Sequence, residues 1–181
     1  TLLLAAVVGA APAYAQQGDG WTHYGGDAGG SRFSASVAIT PDTVRDLGVV
    51  WQYATGDMEA RPDAVKSSAF EGTPILAGGA LRLCTPFNEI VSLDPATGEE
   101  QWRYDPQIPT DSMPANQFVC RGVAYWHDGE STADAECAAR IFMGANHGRL
   151  IAVDAATGRR CASFGPTVAC DHQPGCRPAR C

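Results

Sequence analysis

The side chains able to do chemistry are unevenly placed in this 181-residue chain, which has seven cysteines and four histidines. Cys170, His172, Cys176 and Cys181 gather near the C-terminus and invite a reading as zinc ligands. They lack the C-x-x-C pair that structural zinc sites use, so an irregular, disordered or frameshifted tail over 165–181 is the preferred reading. Cys120 and Cys137 flank a polar insertion, HDGESTADAEC, between consecutive strands. If the flanking strands pair as a hairpin, these two cysteines face each other and an exporting compartment permits a disulfide. Two buried thiols are the alternative. An odd cysteine count leaves at least one thiol unpaired or intermolecular. His23, His127, His147 and His172 read as turn histidines, and His147 lies in Asn-His-Gly, a hairpin-turn tripeptide.

Something must position these groups, and the chain repeats itself in a way that shows what. IVSLDPATGEEQW (90–102) and LIAVDAATGRRCA (150–162) are near copies, sixty residues apart. Such self-similarity marks stacked or radial repeats. Each copy opens on a strand-like apolar pattern and then turns at Asp-x-Ala-Thr-Gly. There the Asp can accept from the backbone two residues on, and the Gly supplies a positive φ. Trp102 follows the first turn; the second copy has Ala162 at that place, with Phe164 nearby. Strands over 73–77, 81–85, 89–94 and 99–104 make one propeller blade, and a second spans 118–164. In the second, FVCRGVAYW and ARIFMG are the two strands before the repeat. Upstream, VVWQYATG reads as a strand and TPDTVRDL as a short helix, with Thr40 as N-cap and Pro41 as first helical residue.

Composition agrees with a turn-rich all-β chain: 45% apolar residues, 20 Gly and 12 Pro. The net charge of −7 and the lack of a basic cluster exclude nucleic acid as a partner. The start, TLLLAAVVGAAPAYAQQ, is an apolar run ending in Ala13-Tyr14-Ala15, whose small residues suit signal-peptidase cleavage after Ala15. Residues 1–15 are therefore expected to be a signal-peptide remnant; the end of a membrane helix and a buried segment are the alternatives. The run is shorter than the roughly 20 residues a span requires.

Six blocks then occur in order: WTHYGGDAGGSRFS, LGVVWQYATGD, FEGTPI, LRLCTPFNEIVSLDPATGEEQWRYDP, CRGVAY and GRLIAVDAATGRRCASF. Together they resemble the N-terminal part of the pyrroloquinoline quinone (PQQ)-dependent dehydrogenases, nearest the membrane-associated glucose, quinate and polyol branch. The resemblance covers Trp21 to Phe164. It implies an eight-bladed quinoprotein-type β-propeller of which 16–164 supplies about the first two blades. It also implies PQQ and a divalent metal, usually calcium, on the central axis. The expected parent is a periplasmic, membrane-associated enzyme that oxidises a sugar, polyol or cyclitol and passes electrons to membrane ubiquinone or a membrane subunit. A non-catalytic propeller scaffold of the outer-membrane assembly type is the alternative.

The resemblance carries few site residues across. Glu71 matches the carboxylate before Thr-Pro, near the cofactor, and Arg121 matches the arginine of the Arg-Gly-Val motif that approaches the quinone and its carboxylates. A planar guanidinium fork suits such oxygens. A surface or structural ion pair is the alternative for both. Where many members place two adjacent cysteines, this chain has Ala115 and Asn116; where the glucose branch keeps a histidine, it has Gln117. Gln117 is either a neutral hydrogen-bonding contact to the cofactor or an ordinary loop residue. The family's catalytic Asp and metal ligands are expected beyond residue 181, so no catalytic or metal-binding residue is assigned.

Overall fold

The computed structural model describes residues 20–112, 117–132, 135–164 and 168–169. The expected signal segment, Ala115, Asn116 and the four tail residues proposed for zinc lie outside the described residues. The first elements are α1 (Asp57–Ala60), one helical turn, and β1 (Ser68–Phe70). Then come β2 (Ile75–Ala77), β3 (Ala80–Cys84), β4 (Ile90–Leu93) and β5 (Glu100–Tyr104), which form one antiparallel sheet in sequence order. β6 (Phe118–Cys120) leaves to pair with β1. β7 (Ala124–His127), β8 (Ala139–Ala145), β9 (Arg149–Asp154) and β10 (Val168–Ala169) form a second antiparallel meander. Two four-stranded meanders from consecutive stretches of chain correspond to the two expected blades, the second running from Ala124 to Ala169 instead of Phe118 to Phe164.

Alternation along the strands explains how the sheets stack. Cys84, Ile90 and Tyr104 share one row across the first sheet, and Arg82, Ser92 and Trp102 share the next. That face packs against Ile141, Met143, Ile151 and Val153 of the second sheet. The opposite face presents Leu83, Val91 and Leu93 to Trp51 and Tyr53. Because β4 is covered on both sides, all four of its residues are buried. The far face of the second sheet closes on Ala152, Phe142, Phe164 and the Cys137–Cys161 disulfide.

The repeated Asp-x-Ala-Thr-Gly turn now has a structural reason. Asp94 accepts from the amides of Ala96 and Thr97 at 2.8 and 2.9 Å; Asp154 accepts from Ala156 and Thr157 at 3.1 and 2.9 Å. Gly98 and Gly158 have φ of 75° and 70°, and an indole lies flat against each. A Cβ on Gly98 would fall 2.5 Å from Trp51, and one on Gly158 2.5 Å from Trp102. Each turn is therefore the seat of a tryptophan from the preceding layer. Trp51 Nε1 donates to Pro95 O at 3.2 Å, and Trp102 Nε1 donates to Ala155 O at 3.3 Å.

Several expectations change. The Cys120–Cys137 disulfide does not form: Cys120 bonds Cys84, and Cys137 bonds Cys161. The cause is that FVCRGVAYW is two strands rather than one. Its first part, β6, crosses to β1, whereas the hairpin closes at His127 opposite Ala139. The 49–53 stretch is extended but joins no ladder among the described residues, and it is held through its tryptophan. TPDTVRDL gives a turn followed by a 3₁₀ segment, Val44–Asp46, rather than an α-helix. Thr40 does begin it, accepting from Thr43 N through its hydroxyl at 3.3 Å. In the tail, Val168–Ala169 pairs with Leu150 and Arg149, adding an edge strand where an irregular segment was expected.

Asp154 offers a test of the turn. Burial would raise its pKa, but hydrogen bonds from Thr157, Cys137 N and Ala156 N outweigh that and hold it below the usual carboxylate range. A depressed folded-state pKa adds stability above the unfolded value and loses it as pH falls through the folded value. Asp154→Ala should therefore cost about 2 kcal/mol at neutral pH, and the difference from wild type should shrink below about pH 4. Chemical denaturation of the protein at pH 7 and pH 3 measures both; a gap that stayed constant across that range would contradict the assignment.

Candidate functional site

The parallel pairing of β1 with β6 builds the site. Its register aligns Ser68 with Phe118, Ala69 with Val119 and Phe70 with Cys120. The next residues along the two strands are Glu71 and Arg121, fifty apart in sequence, and their side chains meet: Arg121 Nη2 lies 3.1 Å from Glu71 Oε2. Thr73 N also donates to Arg121 O at 3.3 Å, extending the contact by one backbone bond. Gln117 Nε2 donates to the other carboxylate oxygen of Glu71 at 3.5 Å. The three residues singled out from the sequence thus form one cluster.

The cluster is open. The Arg121 side chain is 80% exposed and that of Glu71 37%, so most guanidinium donors remain available. An exposed ion pair contributes little to stability, at most about 1 kcal/mol. What the arrangement offers is a planar, permanently charged donor fork next to a neutralised carboxylate. That donor set fits a planar anionic ligand bearing carboxylates and carbonyl oxygens, as PQQ does. Among the described residues, no three His, Cys, Asp or Glu side chains gather in a way that could hold a metal ion. His23 and His127 sit apart from the cluster, near the opposite ends of the strands, and His147 belongs to the 3₁₀ turn Asn146–Gly148 between β8 and β9.

Residues that sequence reading overlooked fix this end of the molecule. Asn88, fully buried with φ of 63°, receives Asn146 N at 2.8 Å and donates to Val119 O at 3.5 Å. It therefore ties the β3–β4 loop to both β6 and the second sheet. Glu89, 4% exposed, pairs with Arg61 and Arg103 at once. Arg61 also donates to Asp57 at 3.0 Å, and Arg103 donates to Glu100 at 3.1 Å. Burial, opposed by a hydrogen bond from Thr55, leaves the Asp57 carboxyl above its ordinary pKa. Burial and then the Glu100 hydrogen bond push the Tyr53 hydroxyl up to about 12. The network clamps 53–61 to the ends of β4 and β5. A clue was present in the sequence: Glu89 directly precedes the apolar run that becomes β4.

Comparison with known proteins agrees with the fold. The family described as "Glucose/ethanol/alcohol dehydrogenase, beta-propeller domain" (PQQ) matches residues 21–180. "Quinoprotein glucose dehydrogenase A" of Acinetobacter calcoaceticus is 35% identical over 156 residues, 80% of this chain and 19% of that protein. "Glycerol dehydrogenase large subunit" of Gluconobacter oxydans (strain 621H) is 39% identical over 145 residues, with the same coverage of 80% and 19%. Among solved structures, the quinohemoprotein alcohol dehydrogenase from Comamonas testosteroni superposes with a TM-score of 0.61 at 30% identity, over 82% of this chain and 19% of that one. The chain thus spans about a fifth of the length of the relatives it matches. Both meanders, the doubled turn and the ordered sequence blocks fall inside the matched region, and the chain belongs to the PQQ-type glucose/ethanol/alcohol dehydrogenase β-propeller family.

Proposed function

We propose that this chain is the cofactor-side N-terminal part of a PQQ-dependent dehydrogenase that oxidises a sugar, polyol or cyclitol. The observation that carries the reading is the meeting of Glu71, Arg121 and Gln117 at one open strand end within a family of such enzymes. When bound, PQQ supplies an ortho-quinone that accepts two electrons from the substrate. Arg121 donates to quinone or carboxylate oxygen and places a fixed positive charge where negative charge develops during the reaction. Glu71, neutralised by Arg121, orients the cofactor by accepting a hydrogen bond. Gln117 holds the second oxygen of Glu71 and so limits rotation of the carboxylate. A divalent metal, most simply calcium, and the catalytic base belong to the proposal for the whole protein. So do export to the periplasm, association with the membrane, and ubiquinone or a membrane subunit as electron acceptor. A propeller scaffold without chemistry is the alternative, and the arginine held open beside a carboxylate and an amide at one strand end favours the enzyme.

The test is reconstitution. Full-length apoprotein given PQQ and calcium should reduce an artificial electron acceptor in the presence of glucose, glycerol or quinate. Residues 1–181 alone should not, whatever is added. Failure of the full-length protein with every alcohol tried would overturn the reading.

A further inference from the structure

The disulfide Cys84–Cys120 sits directly behind the proposed site. It joins the last residue of β3 to the last residue of β6, with the Cα atoms 6.0 Å apart. Cys120 is the chain neighbour of Arg121, and its ladder partner Phe70 is the chain neighbour of Glu71. Gly72 fits under the cross-link: a Cβ there would approach Cys84 O to 3.0 Å and Cys120 O to 3.5 Å. Both cysteines are buried, 1% and 5% exposed, in the core between the two sheets.

The other ties of β6 are non-covalent. A ladder of three residues with a single partner strand is marginal by itself. It is supported by the Thr73 N–Arg121 O bond at 3.3 Å, the Asn88 contact to Val119 O, and burial of Phe118 among Phe87, Ile108, Ala64, Val65 and Ala145. Small apolar side chains could fill the volume of the two cysteines. The disulfide fixes the distance between β3, part of a four-stranded sheet, and the short strand that ends one residue before Arg121.

We propose that Cys84–Cys120 is a positioning cross-link for cofactor binding: it holds Arg121 in register with Glu71 so that PQQ meets a preformed donor set. This rests on the reading of the site given above. Groups ordered before binding do not have to be ordered by the ligand, and a misplacement of about 1 Å can cost as much as a hundredfold. Cys137–Cys161 is the built-in comparison. Its sequence separation is 24 against 36, so the chain-entropy effect of losing either bond is similar, yet it lies on the far face of the second sheet.

The experiment uses the full-length apoprotein and follows quenching of tryptophan fluorescence as PQQ is added. Cys84→Ala/Cys120→Ala should weaken PQQ binding about tenfold or more, whereas Cys137→Ala/Cys161→Ala should lower the melting temperature and leave PQQ affinity within about twofold of wild type. If the cross-link acts through Arg121, the two effects must not multiply. Arg121→Ala should weaken binding about a hundredfold in wild type and only about tenfold once Cys84 and Cys120 are replaced, so that the triple variant binds no worse than Arg121→Ala alone. Should that double variant fail to fold, Gly72→Ala retains the disulfide while pressing the Glu71 segment away from it, and the same loss of PQQ affinity is expected. Unchanged PQQ affinity in the folded variants, equal weakening by loss of either disulfide, or full multiplication with Arg121→Ala would overturn the proposal. Absence of saturable binding by wild type would instead overturn the functional reading, and this proposal with it.

Discussion

Arg121→Ala in the full-length protein is expected to weaken PQQ binding about a hundredfold and to lower turnover at saturating PQQ by a similar factor. Hydrogen bonds from a charged donor are worth about 1.5–3 kcal/mol each, so losing a two-pronged contact costs about 3 kcal/mol at the low end, which is at least that hundredfold. The loss in turnover has a separate origin: removing a donor aimed at developing charge costs about 10²–10³ in rate. Arg121→Lys retains the charge and loses the fork, and an intermediate effect is expected. Arg159→Ala is the control. That arginine stands exposed just past the turn at Gly158, and only its backbone is used, with Arg159 N donating to Thr157 Oγ1 at 3.3 Å. Its PQQ affinity and rate should stay within about twofold of wild type, since surface changes away from special features have little effect. Equal affinity and turnover for wild type and Arg121→Ala would remove arginine from the cofactor site.

Trp102→Ala is expected to be the most damaging change to the fold, at about 3–5 kcal/mol. The indole does three things at the boundary between the sheets. It covers Gly158, donates to Ala155 O at 3.3 Å, and lies 6.0 Å from the Arg82 guanidinium. Arg82 is itself 3% exposed and donates to the same Ala155 O at 2.7 Å. Burial lowers its pKa, and its Nε has no hydrogen-bond partner among the described residues, so the cation depends on its carbonyl acceptors and the indole face. Without the indole, Arg82 is hydrated in what had been an interface. Trp102→Phe keeps much of the packing and should cost less than half as much. Denaturant unfolding of the full-length protein measures these differences, and a loss below about 1 kcal/mol for Trp102→Ala would show that the sheets do not depend on this seat.

The first sheet was legible because its signals are local. Gly78-Gly79 and Asp94–Gly98 punctuate short apolar runs, and β2 to β5 fall within about two residues of the predicted spans. The doubled motif was legible as a hairpin that ends a blade, and Trp102 by resemblance as a tryptophan that packs its blade against a neighbour, but the glycine it covers was not. Trp102 is seated on the copy that follows it, so the second copy's missing tryptophan says nothing about the contact between these two sheets.

The cysteine pairing was misread for a physical reason. FVCRGVAYW looks like one continuous strand, yet Gly122 at φ 154° and the bend around it divide β6 from β7. β6 then finds a parallel partner fifty residues upstream, and periodicity carries no information about so distant a pairing. Cys84 lay in a conspicuous sequence block, but connectivity among seven cysteines cannot be deduced from spacing. The proximity of Glu71 and Arg121 was anticipated from the way a propeller brings strand ends to one axis. The immediate cause is more local: two short parallel strands in register deliver both residues to the same spot.

A crystal structure of the full-length protein with PQQ bound tests the central claim most directly. The account predicts a PQQ oxygen about 2.7–3.1 Å from an Arg121 guanidinium nitrogen, with Glu71 on the same side of the cofactor. PQQ bound beyond hydrogen-bond reach of both side chains, with Arg121 still paired only to Glu71, would contradict it.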